Sequence, residues 1–428
     1  MKNIRQENLW LRTGLIRQPI TEQTYRLSTF VVKLQMEDGF LLYNTVTGCI
    51  LFFENELDLI NSKEILIKNW FYIPTTNFDE FLWVDFLRDK KREIVASKPT
   101  KSYIIMTTIN CNARCFYCYE KGRKPITMSI KTAKELADFI IKKSPDCNIK
   151  LTWFGGEPLV NLKVIDFVCT ELKNNGCIYF SHIISNGLLF TKEIIERSKT
   201  LWHLNMVQIT IDGTEQKYLE TKAYKNCIGD EFQRVIKNIE LLLEESISVS
   251  VRLNQSLNNT QDLINLVSFL NDKFSKYKKF SVYNRLLFGE ENSKINQEAY
   301  FLLKHKIIQL GLRKPKLKDT IQYSKCMADN ANSFVITPDG HLGKCEHYSE
   351  NNFIGSLKSE VYDCQMLDKF KETYESTPLC KTCSLYPSCV RLKMCPSEQN
   401  ECSELIRADE LDNIFYLMKE FYKQSIQK

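Results

Sequence analysis

A chain of 428 residues, 43% hydrophobic and 26% charged with a net charge of +6, is too long for one small core and implies two or three domains. The mild charge and the lack of segments interleaving aromatics with Arg argue against a nucleic-acid partner, and no apolar run reaches the roughly 18 residues of a membrane span. Residues Met1 to Asn8 carry charge where a signal peptide places its apolar core, so the cytoplasm is expected; there, sixteen cysteines point to metal ligation rather than disulfides.

Residues 1–99 open with a strand–turn–strand signal. Phe30-Val31-Val32-Lys33-Leu34 and Phe40-Leu41-Leu42-Tyr43-Asn44 flank Glu37-Asp38-Gly39, whose last two residues tolerate the positive φ of a hairpin turn. A second turn at Thr47-Gly48 leads into Ile50-Leu51-Phe52-Phe53. Short helical patterns follow at 56–70 and 79–91, and Ser97-Lys98-Pro99-Thr100 reads as an exit linker. The expected product is a small α+β domain.

Residues 100–315 alternate strand and helix. Strand-like runs fall at 103–107, 149–154, 179–185, 206–211, 247–253 and 279–287, with amphipathic stretches between them. In 129–143, for example, Ile130, Ala133, Leu136, Ala137, Ile140 and Ile141 share one face. Six such units predict an α/β fold, a partial (β/α)6 TIM-like barrel with its site at the strand carboxyl ends. Just after the first strand lie Cys111, Cys115 and Cys118, spaced Cys-x3-Cys-x2-Cys. Three thiolates on one loop suit three irons of a [4Fe–4S] cube and leave the fourth iron open. Zinc is the alternative, but a closed zinc site takes four ligands, and residues 103–181 contain no His.

Residues 316–428 lose periodicity and crowd cysteines at 326, 345, 364, 380, 383, 389, 395 and 402. A segment rich in ligands and poor in apolar runs is expected to need metal to fold. Cys49, Cys147, Cys169, Cys177 and Cys227 lack ligand spacing and read as small buried hydrophobes.

Cys111-Asn112-Ala113-Arg114-Cys115-Phe116-Tyr117-Cys118 resembles the radical S-adenosylmethionine (SAM) signature, with Tyr117 as the aromatic before the last Cys. Gly155-Gly156-Glu157-Pro158, ending the second strand, is similar to that superfamily's Gly-Gly-Glu-Pro motif, which contacts the SAM amino group. The resemblance further implies that Ser185 and Asn186 meet the SAM ribose or carboxylate. It makes Arg252 a bidentate clamp for that carboxylate and Asp212 a proton acceptor from a substrate radical. Plain alternatives are a strand-to-helix turn for the first motif, structural hydrogen bonds for Ser185, Asn186 and Arg252, and a helix cap for Asp212.

Cys326-x13-Gly340-x4-Cys345, Cys380-x2-Cys383-x5-Cys389, Cys395 and Cys402 resemble the seven-Cys SPASM domain, which carries auxiliary [4Fe–4S] clusters. By position, Cys380, Cys383, Cys389 and Cys402 would hold one cluster, and Cys326, Cys345 and Cys395 the other. Five residues, not the family's three, separate Cys389 from Cys395. Thr320 stands where some relatives have a further Cys, leaving an open iron or closure by Cys364, His347 or substrate; zinc at Cys380/Cys383 is the alternative.

Asp38 to Thr45 and Thr47-Gly48 resemble the winged-helix-like leader-recognition domains of ribosomal-peptide maturases. Such a domain captures a precursor's leader as an added strand, although a purely structural cap is the alternative. Together these resemblances imply an enzyme that uses SAM, one SAM-binding and two auxiliary clusters, and a flavodoxin- or ferredoxin-type electron donor. Its reaction would install a thioether or carbon–carbon crosslink in a precursor peptide. Oxidation of a protein Cys or Ser, as in sulfatase maturation, and a non-catalytic Fe–S adaptor are the competing readings.

Overall fold

A computed structural model describes residues 2–5, 24–96, 100–145, 148–226, 228–287, 290, 293–315, 320–347, 350–359, 361–395 and 402–427. The chain forms two compact units, and they cut across the three segments expected from sequence. One contains residues 1–98, 315–325 and 373–428; the other contains 99–314 and 326–372.

In the first unit, β1 (Lys2–Arg5), β3 (Val31–Gln35), β4 (Phe40–Asn44) and β5 (Ile50–Phe53) form a sheet in the order β1-β5-β4-β3. The expected hairpin is β3–β4, antiparallel from Val31↔Asn44 to Gln35↔Phe40. β2 (Tyr25–Leu27) pairs with β6 (Tyr72–Pro74), and helices Glu56–Asn61, Lys63–Lys68 and Glu80–Ala96 complete a small α+β fold. The late Cys-rich residues pack onto it. Tyr386 stacks on Phe30 with ring centroids 6.1 Å apart, and its hydroxyl donates to Asp85. Helix Glu404–Ile426 lays Ile414, Met418 and Tyr422 against Val32, Leu41, Tyr43, Ile50 and Phe52. Hydrophobic burial on one face of the small sheet therefore recruits chain from more than 300 residues away.

The second unit is built on β7 (Thr100–Thr108), β8 (Asn148–Gly155), β9 (Tyr179–Ser185), β10 (Leu204–Thr210), β11 (Ser248–Gln255) and β12 (Phe280–Leu286). All six are parallel and adjacent in chain order, as a partial TIM-like barrel requires. β8 alternates inward and outward, and so does β9, in keeping with one face packed under helices and one facing the barrel interior. Helices such as Ile130–Lys143 and Glu231–Glu244 bury one stripe each against the sheet.

A seventh parallel strand comes from the segment read as Cys-rich. β13 (Ser333–Ile336) pairs in parallel with β7, and β14 (His341–Gly343) and β15 (Gly355–Ser356) follow it antiparallel. Phe334 stacks on Tyr103 at 5.9 Å and meets Phe139 edge-on at 5.7 Å. The open edge of β7 is thus filled by a strand only four residues long, Ser333-Phe334-Val335-Ile336. Among the cysteines without ligand spacing, Cys49 and Cys169 are buried and Cys177 is half-buried. Cys147 and Cys227 lie outside the described residues, as do residues 97–99 of the expected linker.

Glu80 is the buried polar tie of the first unit. Its carboxylate accepts from Ser28 Oγ at 2.6 Å, Thr29 N at 3.1 Å, Thr29 Oγ1 at 2.6 Å and Arg26 Nη1 at 2.9 Å. Replacing it by Ala strands these donors, three of them on the approach to β3. The Glu80→Ala variant is expected to lose about 3 kcal/mol in chemical denaturation, whereas an exposed control such as Glu64→Ala should stay near wild type.

Candidate active site

The Cys loop begins where β7 ends, and its backbone rests on the end of β8. Gly156 N donates to Thr108 O at 2.9 Å and Glu157 N to Asn110 O at 3.0 Å. This approach leaves no room for side chains. A Cβ on Gly155 would fall 2.1 Å from Thr108 O, and one on Gly156 would fall 2.4 Å from Ile109 O and 2.5 Å from Asn110 O. Gly155 also sits at φ +121°, which L side chains rarely adopt. The glycine pair therefore serves contact with the Cys loop, in addition to any ligand.

Glu157 is fully buried. Its two oxygens accept from Ser185 Oγ at 2.9 and 3.1 Å, from Asn186 N at 2.9 Å and from Leu159 N at 3.2 Å. The carboxylate thus ties the end of β8 to the end of β9. Burial pushes its pKa up to about 7 against the opposing hydrogen bonds. Asn186 continues the chain of contacts, donating through Nδ2 to Asn112 Oδ1 at 2.6 Å, beside Cys111.

A second hold comes from the segment after β10. Arg114 N donates to Lys222 O and Lys225 N to Asn112 O, both at 2.8 Å. The Lys222 ammonium lies 2.8 Å from Asp212 Oδ2, with both side chains almost wholly buried. Tyr117 donates its hydroxyl to the same oxygen at 2.7 Å, and Lys222 Nζ lies 3.2 Å from that hydroxyl. Burial alone would lower the Lys222 pKa, but Asp212, Tyr117 and Cys115 together hold it well above its ordinary value. Sequence reasoning missed Lys222, because a lysine in the polar run Thr214 to Lys222 carries no signal of burial. Asp212 Oδ1 is buried without a hydrogen-bond partner.

The three loop thiols lie within one another's fields. Burial pushes the Cys111 thiol up to about 11, with Cys115 and Cys118 adding to the shift, and burial likewise raises Cys118. Ala113 N donates to Cys111 Sγ at 3.4 Å. The residues fit an iron–sulfur cube. Three thiols share one loop, and the buried Asn112 Nδ2 has no acceptor in the protein, which a cluster sulfide or thiolate would supply. Among the described residues no three His, Cys, Asp or Glu side chains converge on the position of a single ion. A cube instead sets each thiolate on its own iron.

Arg252, on β11, donates through Nε to Asn254 Oδ1 at 2.9 Å. It lies near enough to His347 to help lower that imidazole's pKa, which burial depresses first. The His347 ring is 4.1 Å from that of Tyr119, one residue beyond Cys118. Cys326 and Cys345 belong to the barrel unit. Cys380, Cys383, Cys389 and Cys402 lie together in the other. Burial raises the Cys402 and Cys389 thiols, with Cys383 and Cys380 adding to the first, and Cys402 and Cys383 to the second. Cys395 is in that unit too, and Cys364 is exposed.

A partial parallel barrel with a three-thiol loop at the carboxyl end of its first strand defines the class. Residues 105–270 match the Radical SAM superfamily, so the chain is an enzyme that contains a Radical SAM domain. It is 25% identical over 303 residues to the GTP 3′,8-cyclase of Clostridium perfringens, covering 64% of this chain and 89% of that one. It is 24% identical over 272 residues to the subtilosin biosynthesis protein AlbA of Bacillus subtilis, covering 60% and 57%. Two solved structures share the fold. AdoMet-bound anSMEcpe has a TM-score of 0.58 at 15% identity, over 77% of this chain and 100% of that one. Streptococcus suis SuiB bound to its precursor peptide SuiA has a TM-score of 0.50 at 13% identity, over 86% and 94%. Among the described residues, no helix is long and apolar enough to cross a membrane.

Because Glu157 is held with a raised pKa, folding favours its protonated form. Its contribution is complete below about pH 4.5, declines as pH rises and is lost above about pH 7. The stability of wild type relative to Glu157→Gln should therefore fall between pH 5 and pH 8, by on the order of 3 kcal/mol. Urea unfolding of both proteins across that range reads the difference.

Proposed function

We propose that this enzyme modifies a ribosomally made precursor peptide, forming a thioether or carbon–carbon crosslink. The observation that carries the reading is the pairing of two features in one chain. One is a three-thiol loop seated on Gly155-Gly156. The other is a separate unit built on a small antiparallel sheet of the kind that takes up a peptide strand. The similarity to AlbA supports a peptide substrate.

Cys111, Cys115 and Cys118 would hold a [4Fe–4S] cluster, which would supply the electron for reductive cleavage of SAM and so the radical chemistry on the peptide. The chain's own residues do the placing. Glu157, Asn186 and the Lys222 carbonyl keep the loop fixed on the strand ends. Arg252 from β11 is the cation proposed for the SAM carboxylate. Lys222, beside Cys115 and Tyr117, is a second cation for the same charge, provided it trades part of its pairing with Asp212. Asp212, with one buried oxygen unpartnered, keeps its place as the proposed proton acceptor. Cys380, Cys383, Cys389 and Cys402 are the proposed ligands of an auxiliary cluster, with Cys326 and Cys345 contributing to a second. An external flavodoxin or ferredoxin is the proposed donor, and the cytoplasm the proposed location.

A nucleotide substrate is the second reading, favoured by the similarity to GTP 3′,8-cyclase. One experiment separates the readings. Anaerobically reconstituted protein should hold about twelve irons, falling to about eight in the Cys111/Cys115/Cys118→Ala variant, which forms no 5′-deoxyadenosine. Wild type should change the mass of a precursor peptide encoded beside its gene and leave GTP unaltered. GTP consumption with an unchanged peptide would overturn the peptide reading.

A further inference from the structure

The two edges of the sheet in the first unit are built differently. β3 looks like an edge strand. Its central Lys33 is exposed, pairs with Glu56 at 2.6 Å and stands over the Phe40 ring. A lysine at mid-strand is a common guard against unwanted pairing. β5 is the opposite. Ile50, Leu51, Phe52 and Phe53 are all buried, and the strand contains no charge and no proline. Left bare, such an edge would recruit any available strand.

What covers it is β1, four residues long and half exposed. It pairs antiparallel with β5 through Lys2↔Phe52, Asn3↔Leu51 and Arg5↔Ile50, with a register shift between Asn3 and Arg5. Three contacts pin it to helix Glu404–Ile426 and the shared core. Lys2 Nζ donates to Ser425 O at 2.6 Å, Arg5 lies over the Phe421 ring at 5.0 Å, and Ile4 packs into the cluster around Tyr43, Phe52 and Tyr422. The pattern is one inward apolar side chain between two cations that reach the end of the helix. So short and interrupted a ladder holds its edge weakly compared with β3–β4, which pairs five residues without a break.

We propose that β1 is a displaceable cover of the β5 edge. An extended peptide strand carrying an apolar residue between two cationic ones takes its place. The inference deepens the leader-capture reading by naming the edge, the occupant it must displace and the side-chain pattern it accepts.

The test uses a fluorescein-labelled peptide of residues Met1 to Asn8 and fluorescence anisotropy. A variant lacking residues 2–8 should bind the peptide at least about tenfold more tightly than the full chain, whose own strand keeps most molecules closed. A full-length variant with Ile4→Asp and Arg5→Glu, which keeps the chain but weakens the cover, should also gain binding. A benzophenone placed at the Ile4 position of the peptide should crosslink to β5 or to helix Glu404–Ile426. Equal binding by all three proteins, or no binding by variants whose circular dichroism and iron content match wild type, would overturn the proposal. If the labelled peptide binds but a precursor peptide fails to compete, the strand site stands and the leader-capture reading falls.

Discussion

Everything at the candidate active site depends on one close contact between two pieces of backbone, residues 108–110 resting on Gly155 and Gly156. Strand pairing brings Thr108 level with Gly155, and two hydrogen bonds then extend the contact past the end of the ladder. A Cβ would stand 2.1 Å from the nearest atom at Gly155 and 2.4 Å at Gly156, both well inside the closest normal approach. Side-chain exclusion here determines where the Cys loop leaves the sheet, and hence which way its thiols face.

The other supports add specificity to that seat. Glu157 turns back from the same motif to hold β9, and Asn186 passes the restraint to Asn112. Asp212, Lys222 and Tyr117 form a buried charge network that also holds the loop. An ion pair so deeply buried contributes little net stability against an apolar replacement, but removing one partner is costly. Its value is better understood as fixing one loop geometry and placing a cation beside Cys115, where an anionic cluster or a carboxylate would need it.

Legibility followed the strength of local patterns. The barrel strands were readable because each is a run of seven to nine residues with strong apolar character, and their observed ends fall within about three residues of the expected ones. The β3–β4 hairpin was readable from Asp38-Gly39. β13 was not, since four residues between cysteines form no period, and its identity as a strand comes from the edge of β7 that it fills. For the same reason the Cys-rich tail could not be divided from sequence. The allegiance of residues 373–428 to the first unit rests on long-range packing of Tyr386 and helix Glu404–Ile426, whereas 326–372 join the barrel. Cys spacing identified the loop at once, yet Lys222 and Asn112 acquire meaning only from burial and from the partners they find or lack.

The central claim is that the glycine seat holds the SAM-binding cluster loop, and Gly156→Ala tests it most directly. After anaerobic reconstitution, iron content and the electron paramagnetic resonance spectrum would be measured with and without SAM. The account predicts a folded protein short of about four irons, with no SAM-dependent change in its spectrum. Full iron loading with a wild-type response to SAM would contradict it.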